Sequence, residues 1–124
     1  MTLNPDTDLI INVADLTTEF RTFPTVLYQY TKQKAEANAK RDVAKAKLKE
    51  VRAEIYKFLK SDTSVKRTEN HIESELDSDP RVMEAHLKLI KAEHDAATIE
   101  GAVESLRAKK DMLIQLGSDR RKEY

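Results

Sequence analysis

The sequence predicts an all-α protein: a long antiparallel helical hairpin, coiled-coil-like, with a short helix at its tip and an N-terminal arm, assembling into a homo-oligomer. Three observations carry that expectation. Charged residues make up 35% of the 124 and aromatics 6%, with only two glycines and three prolines. That is the profile of long helices, and too little punctuation for a sheet protein. Two long stretches, 24–60 and 80–117, repeat apolar residues or alanine at alternating steps of three and four. Between them lies an acidic, turn-like segment, 61–79. A chain of this length fits a single helical domain, 1–124, closed by a short tail at 118–124.

The arm, residues 1–23, carries the apolar run Leu9, Ile10, Ile11, Val13 and Leu16. That run suits a docking strand or a short helix. It is too short to span a bilayer and lacks a basic lead and a small-residue cleavage site. The expectation is a soluble protein of the cytoplasm. Pro24 is placed to open the first long helix, because a proline in the first turn loses no hydrogen bond.

From Pro24 to Lys60 the steps fall on Leu27, Tyr30, Lys34, Ala37, Arg41, Ala44, Leu48, Val51, Ile55 and Phe58. Eight of these ten are apolar or alanine, so one face is a seam. About 35 residues at 1.5 Å each make a rod of about 50 Å, which cannot bury its seam alone. A partner follows. Asp79-Pro80 reads as a cap and a first-turn proline, opening steps through Val82, Ala85, Leu89, Ala92, Ala96, Ile99, Val103, Leu106, Lys110, Leu113 and Gly117. Gly117 suits the left-handed residue that closes a helix, and Gly101 a close approach to a neighbour. In the tip, Thr68 can cap a short helix through Leu76, with Ile72 and Leu76 at packing spacing. A second strip on the later helix, Met83, Ile90, Ala97, Met112 and Ile114, has no cover within a two-helix protein. Such a strip points to self-association.

Charge narrows the function classes. Lys plus Arg equals Asp plus Glu at 22 each, yet residues 24–60 hold ten bases against four acids, +6, between acidic flanks of −3 (1–23) and −4 (61–80). Lys40, Arg41, Lys45, Lys47, Lys49, Arg52 and Lys57 crowd this helix, with Tyr56 and Phe58 as rings for stacking. In most proteins such a face is simply solvated. Here the internal acids are too few to neutralise it, and Lys34 and Arg41 sit on the seam, where an unpartnered charge is costly. The pattern is compatible with single-stranded nucleic acid held through its phosphates, without base readout.

An enzyme is not expected. There is no glycine-rich phosphate loop, no nucleophile elbow and no cysteine. The absence of cysteine excludes disulfides and fits a reducing compartment. His71, His86 and His94 match no ligand spacing. Glu75, Asp77 and Asp79 resemble a cation site only superficially, lacking the glycine of a calcium loop. Neither a metal nor a cofactor is expected.

Three stretches carry a family resemblance. "FPTVLYQYTK" opens the first long helix, "KLKEVRAEIYKF" runs basic residues into an acid and aromatics, and "AKKDMLIQLGSDRR" ends an apolar block with bases. In this order they resemble the UvsY-type recombination mediators of tailed phages. The resemblance implies a ring-like homo-oligomer without enzymatic activity in the host cytoplasm. It would bind single-stranded DNA, help displace single-strand-binding protein and load a phage recombinase. The resemblance places a Lys-x-Arg pair at the DNA; here that triplet is Glu50-Val51-Arg52, so Arg52 matches and the lysine position holds an acid. The alternative is a non-enzymatic oligomeric scaffold or protein-docking module without DNA binding, in which acids of the arm (Asp6, Asp8, Asp15, Glu19) face neighbouring protomers.

Overall fold

A computed structural model describes residues 3–122. These residues hold four α-helices and no strand: α1 (Pro5–Asp8), α2 (Leu16–Ser61), α3 (Glu69–Ser78) and α4 (Pro80–Lys122), with a single 3₁₀ turn at Val13–Asp15. The all-α reading holds, with α2 packed against α4. Two compact units divide the chain: residues 3–36 with 96–122, and residues 37–95.

In the first unit α2 rises as α4 descends. Phe20 lies beside Gly117, and Lys34 reaches Glu100 at 3.7 Å, so the pair is antiparallel. Leu16, Phe23, Tyr30, Val103, Leu106 and Leu113 form the core, and Leu3, Leu9 and Ile11 of the arm pack on it. The arm is tied by two polar contacts. The Tyr30 hydroxyl donates to Asp8 Oδ2 at 2.7 Å. Lys109 Nζ donates to the Asp8 carbonyl at 2.7 Å and pairs with Glu19 at 2.9 Å. Burial, with the Asp8 contact second, pushes the Tyr30 hydroxyl's pKa well above its ordinary value.

The first long helix starts earlier than expected. Helix α2 begins at Leu16, with Pro24 inside it, so residues 16–23 are helix and not arm. The reason is legible in hindsight. Leu16, Phe20 and Phe23 continue the three-four steps backward from Leu27, and Leu16 and Phe23 are buried. Asp15 holds the first turn, accepting from the Thr18 N–H at 3.2 Å and the Thr18 hydroxyl at 2.6 Å. Those gains offset the one backbone bond that an internal proline removes, and Pro24 sits on the exposed face.

The second unit folds α3 over the end of α2 and the start of α4. Its core is Ile55, Leu59, Ile72, Leu76 and Val82, with Leu48, Val51 and Tyr56 beside it. Thr68 caps α3, its hydroxyl accepting from the His71 N–H at 3.2 Å. Asp79 accepts from the Arg81 N–H at 2.8 Å at the head of α4. In the connector, the guanidinium of Arg67 is 11% exposed and clasps both sides. It pairs with Asp62 at 3.3 Å and Glu75 at 3.1 Å, and donates to the Leu59 carbonyl at 3.4 Å.

Several seam positions move by one residue. Leu59 is buried and Phe58 is 64% exposed, because a 3.6-residue helix drifts out of a strict 3.5-residue repeat. Lys109 is the buried lysine, and Lys110 is exposed. Gly117 does not close a helix: α4 runs on to Lys122, and no glycine has positive φ. Its missing Cβ makes room for the Phe20 ring, whose Cζ would lie 2.9 Å from that atom. Gly101 has nothing of the chain within 4 Å of its Cβ direction, so it marks no close approach within this molecule.

Candidate functional site

The predicted basic face is split by the helix's own geometry. One hundred degrees per residue sends Lys40 and Lys47 to one flank of the α2 seam and Lys45, Lys49, Arg52 and Tyr56 to the other. Lys57 points away from both, and Arg41 lies half-buried on the seam.

The second flank meets α3. Arg52 is held between Glu73 at 3.2 Å and Asp77 at 3.1 Å. The Tyr56 hydroxyl donates to Glu69 at 3.1 Å, and Lys60 lies 5.7 Å from the Tyr56 ring centre and 2.8 Å from Glu69. The contact with Glu69, then Tyr56, raises the Lys60 pKa, and Lys60 in turn holds Glu69 below the usual carboxylate range. Arg52 and Tyr56, expected at a ligand, are therefore committed to α3. Lys45 and Lys49 are exposed on this flank.

The first flank is different. Two adjoining hollows of about 410 and 340 Å³ share Lys47, Ala85 and Lys88. Lys40, Val43 and Ala44 complete the first hollow, while Val51, Phe58 and Arg81 line the second. The floor is apolar, with Val43 69% and Phe58 64% exposed, and the rim carries three lysines and an arginine. Acids are present too: Glu54 and Glu84 line the second hollow, Glu84 pairs with Lys88 at 3.3 Å and Glu50 with Lys47 at 3.8 Å. These are exposed pairs, weak in water and readily exchanged for another anion. Lys88 and Arg81 escaped sequence reasoning, because the α2 residues that share the hollows with them lie more than twenty residues away in sequence. The only signal was their place three residues beyond the seam positions Ala85 and one before Val82.

The seam charges also find partners inside the protein. Lys34 pairs with Glu100, and Arg41 with Asp42 at 3.3 Å. They give no reason to open the seam towards a ligand. Three of the four acids of the arm are likewise engaged at home: Asp8 and Glu19 with Tyr30 and Lys109, and Asp15 with Thr18, which lowers its pKa. The tip acids each meet a cation of this chain, Glu75 with Arg67, Asp77 with Arg52, and Asp79 with Arg81, and the His71 ring lies 2.8 Å from Glu75 as well. Among the described residues no cluster of three or more metal-ligating side chains forms. No described helix is long and apolar enough to cross a membrane. Of the second apolar strip, Met83, Ile90, Met112 and Ile114 are 48–58% exposed, and Ala97 is exposed as well.

Comparisons with models of known families, with curated proteins and with solved structures find no match for this chain.

Proposed function

We propose that this protein is a non-enzymatic, homo-oligomeric binder of single-stranded DNA that acts as a recombination mediator, loading a phage recombinase onto strands covered by single-strand-binding protein. The mediator role rests on the resemblance to the UvsY-type proteins. One observation supports the binding reading: Lys40, Lys47, Lys88 and Arg81 rim one apolar groove of α2 and α4. A flexible polyanion with π-faces suits such a groove. Phosphates exchange with the weak partners of Lys47 and Lys88, and bases lie on Phe58 and Val43. The binding residues of this reading are thus Lys40 and Lys47 from the expected set, joined by Lys88 and Arg81. Lys45 and Lys49 serve as outlying charge.

Anisotropy titration of a labelled single-stranded oligonucleotide across a salt series tests it. Binding should weaken steeply with salt. The K40E/K47E/K88E variant should bind at least about tenfold more weakly, with a shallower log–log salt slope by about 2. Absence of binding at low salt, or equal loss from K45E/K49E alone, sinks the groove assignment. Sedimentation of the same samples tests the homo-oligomer, whose expected contacts are the strip Met83, Ile90, Ala97, Met112 and Ile114.

A further inference from the structure

A second basic-rimmed hollow lies in the other unit, where the head of α2 meets the end of α4. Its volume is about 420 Å³, and Leu16, Phe20, Ile114, Gly117, Arg120 and Arg121 line it. Its floor is built on purpose. The tip of the Phe20 ring occupies the space that Gly117 leaves open, where an added Cβ would lie 2.9 Å from Cζ. The ring stays 43% exposed and Ile114 54% exposed, although Leu16 beneath them is buried. A large ring and a branched aliphatic side by side, both open, form a seat for one bulky apolar group.

The rim says what accompanies that group. Among the described residues, neither Arg120 nor Arg121 makes an ion pair. Asp119, the adjacent acid, is engaged by the Gln115 side chain at 3.0 Å. Two guanidiniums beside an apolar seat offer forked, planar recognition of carboxylates. They are also in the last turn of α4, where cations favour the helix end, so helix stability accounts for their sign. It does not account for an open Phe20–Ile114 floor beside them.

We infer that this hollow is a docking site for an acidic peptide segment of a partner protein, with one bulky apolar residue on Phe20 and Ile114 and carboxylates on Arg120 and Arg121. A short segment with one anchor and two ion pairs suits weak, exchangeable binding, in which most of the energy sits in the anchor and the arginines. The site uses none of the residues of the lysine-rimmed groove, and shares only Ile114 with the strip expected between copies.

Fluorescently labelled ten-residue peptides test it by anisotropy on the full chain. The first is rich in Asp and Glu with a central Phe-Leu. The second has the same acids with Phe-Leu replaced by Ser-Ser, and the third has Lys for every acid. Only the first should bind, with a Kd in the micromolar range. R120E/R121E should weaken it at least about tenfold, and F20A about fivefold, with helicity by circular dichroism unchanged. K40E/K47E/K88E should leave peptide binding within twofold of the parent, which separates this site from the proposed DNA groove. Equal binding of the Ser-Ser peptide would reduce the site to unspecific charge and overturn the inference. So would full binding to R120E/R121E. No binding of the first peptide, with R120E/R121E changing the sedimenting mass, would assign the hollow to contacts between copies.

Discussion

The two units close themselves by different means. In the unit of residues 3–36 and 96–122, Tyr30 and Val103 have no exposed surface and Leu106 and Leu113 almost none. Even its one deep charge, Lys109, is buried with its partners Glu19 and the Asp8 carbonyl. In the unit of residues 37–95 a core of five buried residues is fenced by exposed ion pairs, Arg52 to Glu73 and Asp77 and Lys60 to Glu69, beside one sheltered pair set, Arg67 to Asp62 and Glu75. Burial carries no charge to be screened, whereas exposed pairs are screened within about 10 Å at 0.1 M. Screening should therefore reach the second unit before the first.

The largest expected effect breaks the first unit at its buried charge. K109A leaves the Glu19 carboxylate, 18% exposed, and the Asp8 carbonyl without their partner. A loss of about 3 kcal/mol is expected in chemical denaturation, because a stranded buried charge costs more than the pair contributes. The double variant K109M/E19Q should recover part of that loss, since no charge is then left alone. If K109A costs under about 1 kcal/mol, the arm is not held by this contact.

In the second unit the matching truncation is L76A. Leu76 is 2% exposed between Ile72 and the α2 face, and its removal should cost about 2–3 kcal/mol. Amide exchange of 69–78 should accelerate first, with the amides around Val103 and Leu106 protected as before. K60A, which removes the exposed partner of Glu69 in α3, should act on the same amides more mildly and should mimic the effect of 1 M NaCl, where screening is about 3 Å. Salt that deprotects residues 100–113 as strongly would dissolve the contrast between the units.

Acid should separate the units further. Glu69 is held below the usual carboxylate range by Lys60, Asp62 chiefly by the Ser64 hydroxyl, and Asp79 chiefly by Arg81. All three lie in the second unit, against one such group, Asp15 at the head of α2, in the first. Because the folded form holds these groups deprotonated to lower pH than the unfolded chain, their contribution is complete above the ordinary carboxylate range and is lost as pH falls through the lowered folded values. Nuclear magnetic resonance between pH 6 and 2 should therefore show α3 resonances shifting and broadening before the methyls of Val103 and Leu113 move. Simultaneous loss would refute it.

Much of this contrast was open to sequence reasoning, and the gaps have physical causes. Local signals were strong where a cap and a spacing agree: Thr68 with Ile72 and Leu76 defined α3, and Asp79-Pro80 defined the start of α4. Pro24 misled because a proline's cost is fixed and local, while the gain from burying Leu16 and Phe23 depends on the far end of α4, where Gly117 meets Phe20. Lys109 and Lys110 cannot be told apart by pattern, since both stand at three or four from Leu106 and Leu113; only the arm's Asp8 and Glu19 choose between them. The basic helix was visible as composition. Its division into a flank tied to α3 and a flank open beside Lys88 needed the positions of α3 and α4.

The smallest expected effect concerns the two glycines of α4, both in the burial-closed unit. At Gly101 an added methyl meets nothing within 4 Å, whereas at Gly117 it meets the Phe20 ring. A glycine in an exposed helix interior costs about 0.5–1 kcal/mol relative to alanine, so G101A should raise stability by about that amount at low protein concentration. G117A gains the same propensity but must displace a ring, and the ring edge can rotate into solvent, so its net change should be near zero. The pair thus isolates packing from propensity on one helix. G101A also reads the oligomer: if a second copy seats its backbone at Gly101, the variant is stabilised when dilute and its association is weakened when concentrated. If stabilisation is the same at every concentration, Gly101 faces solvent and takes no part in any contact between copies.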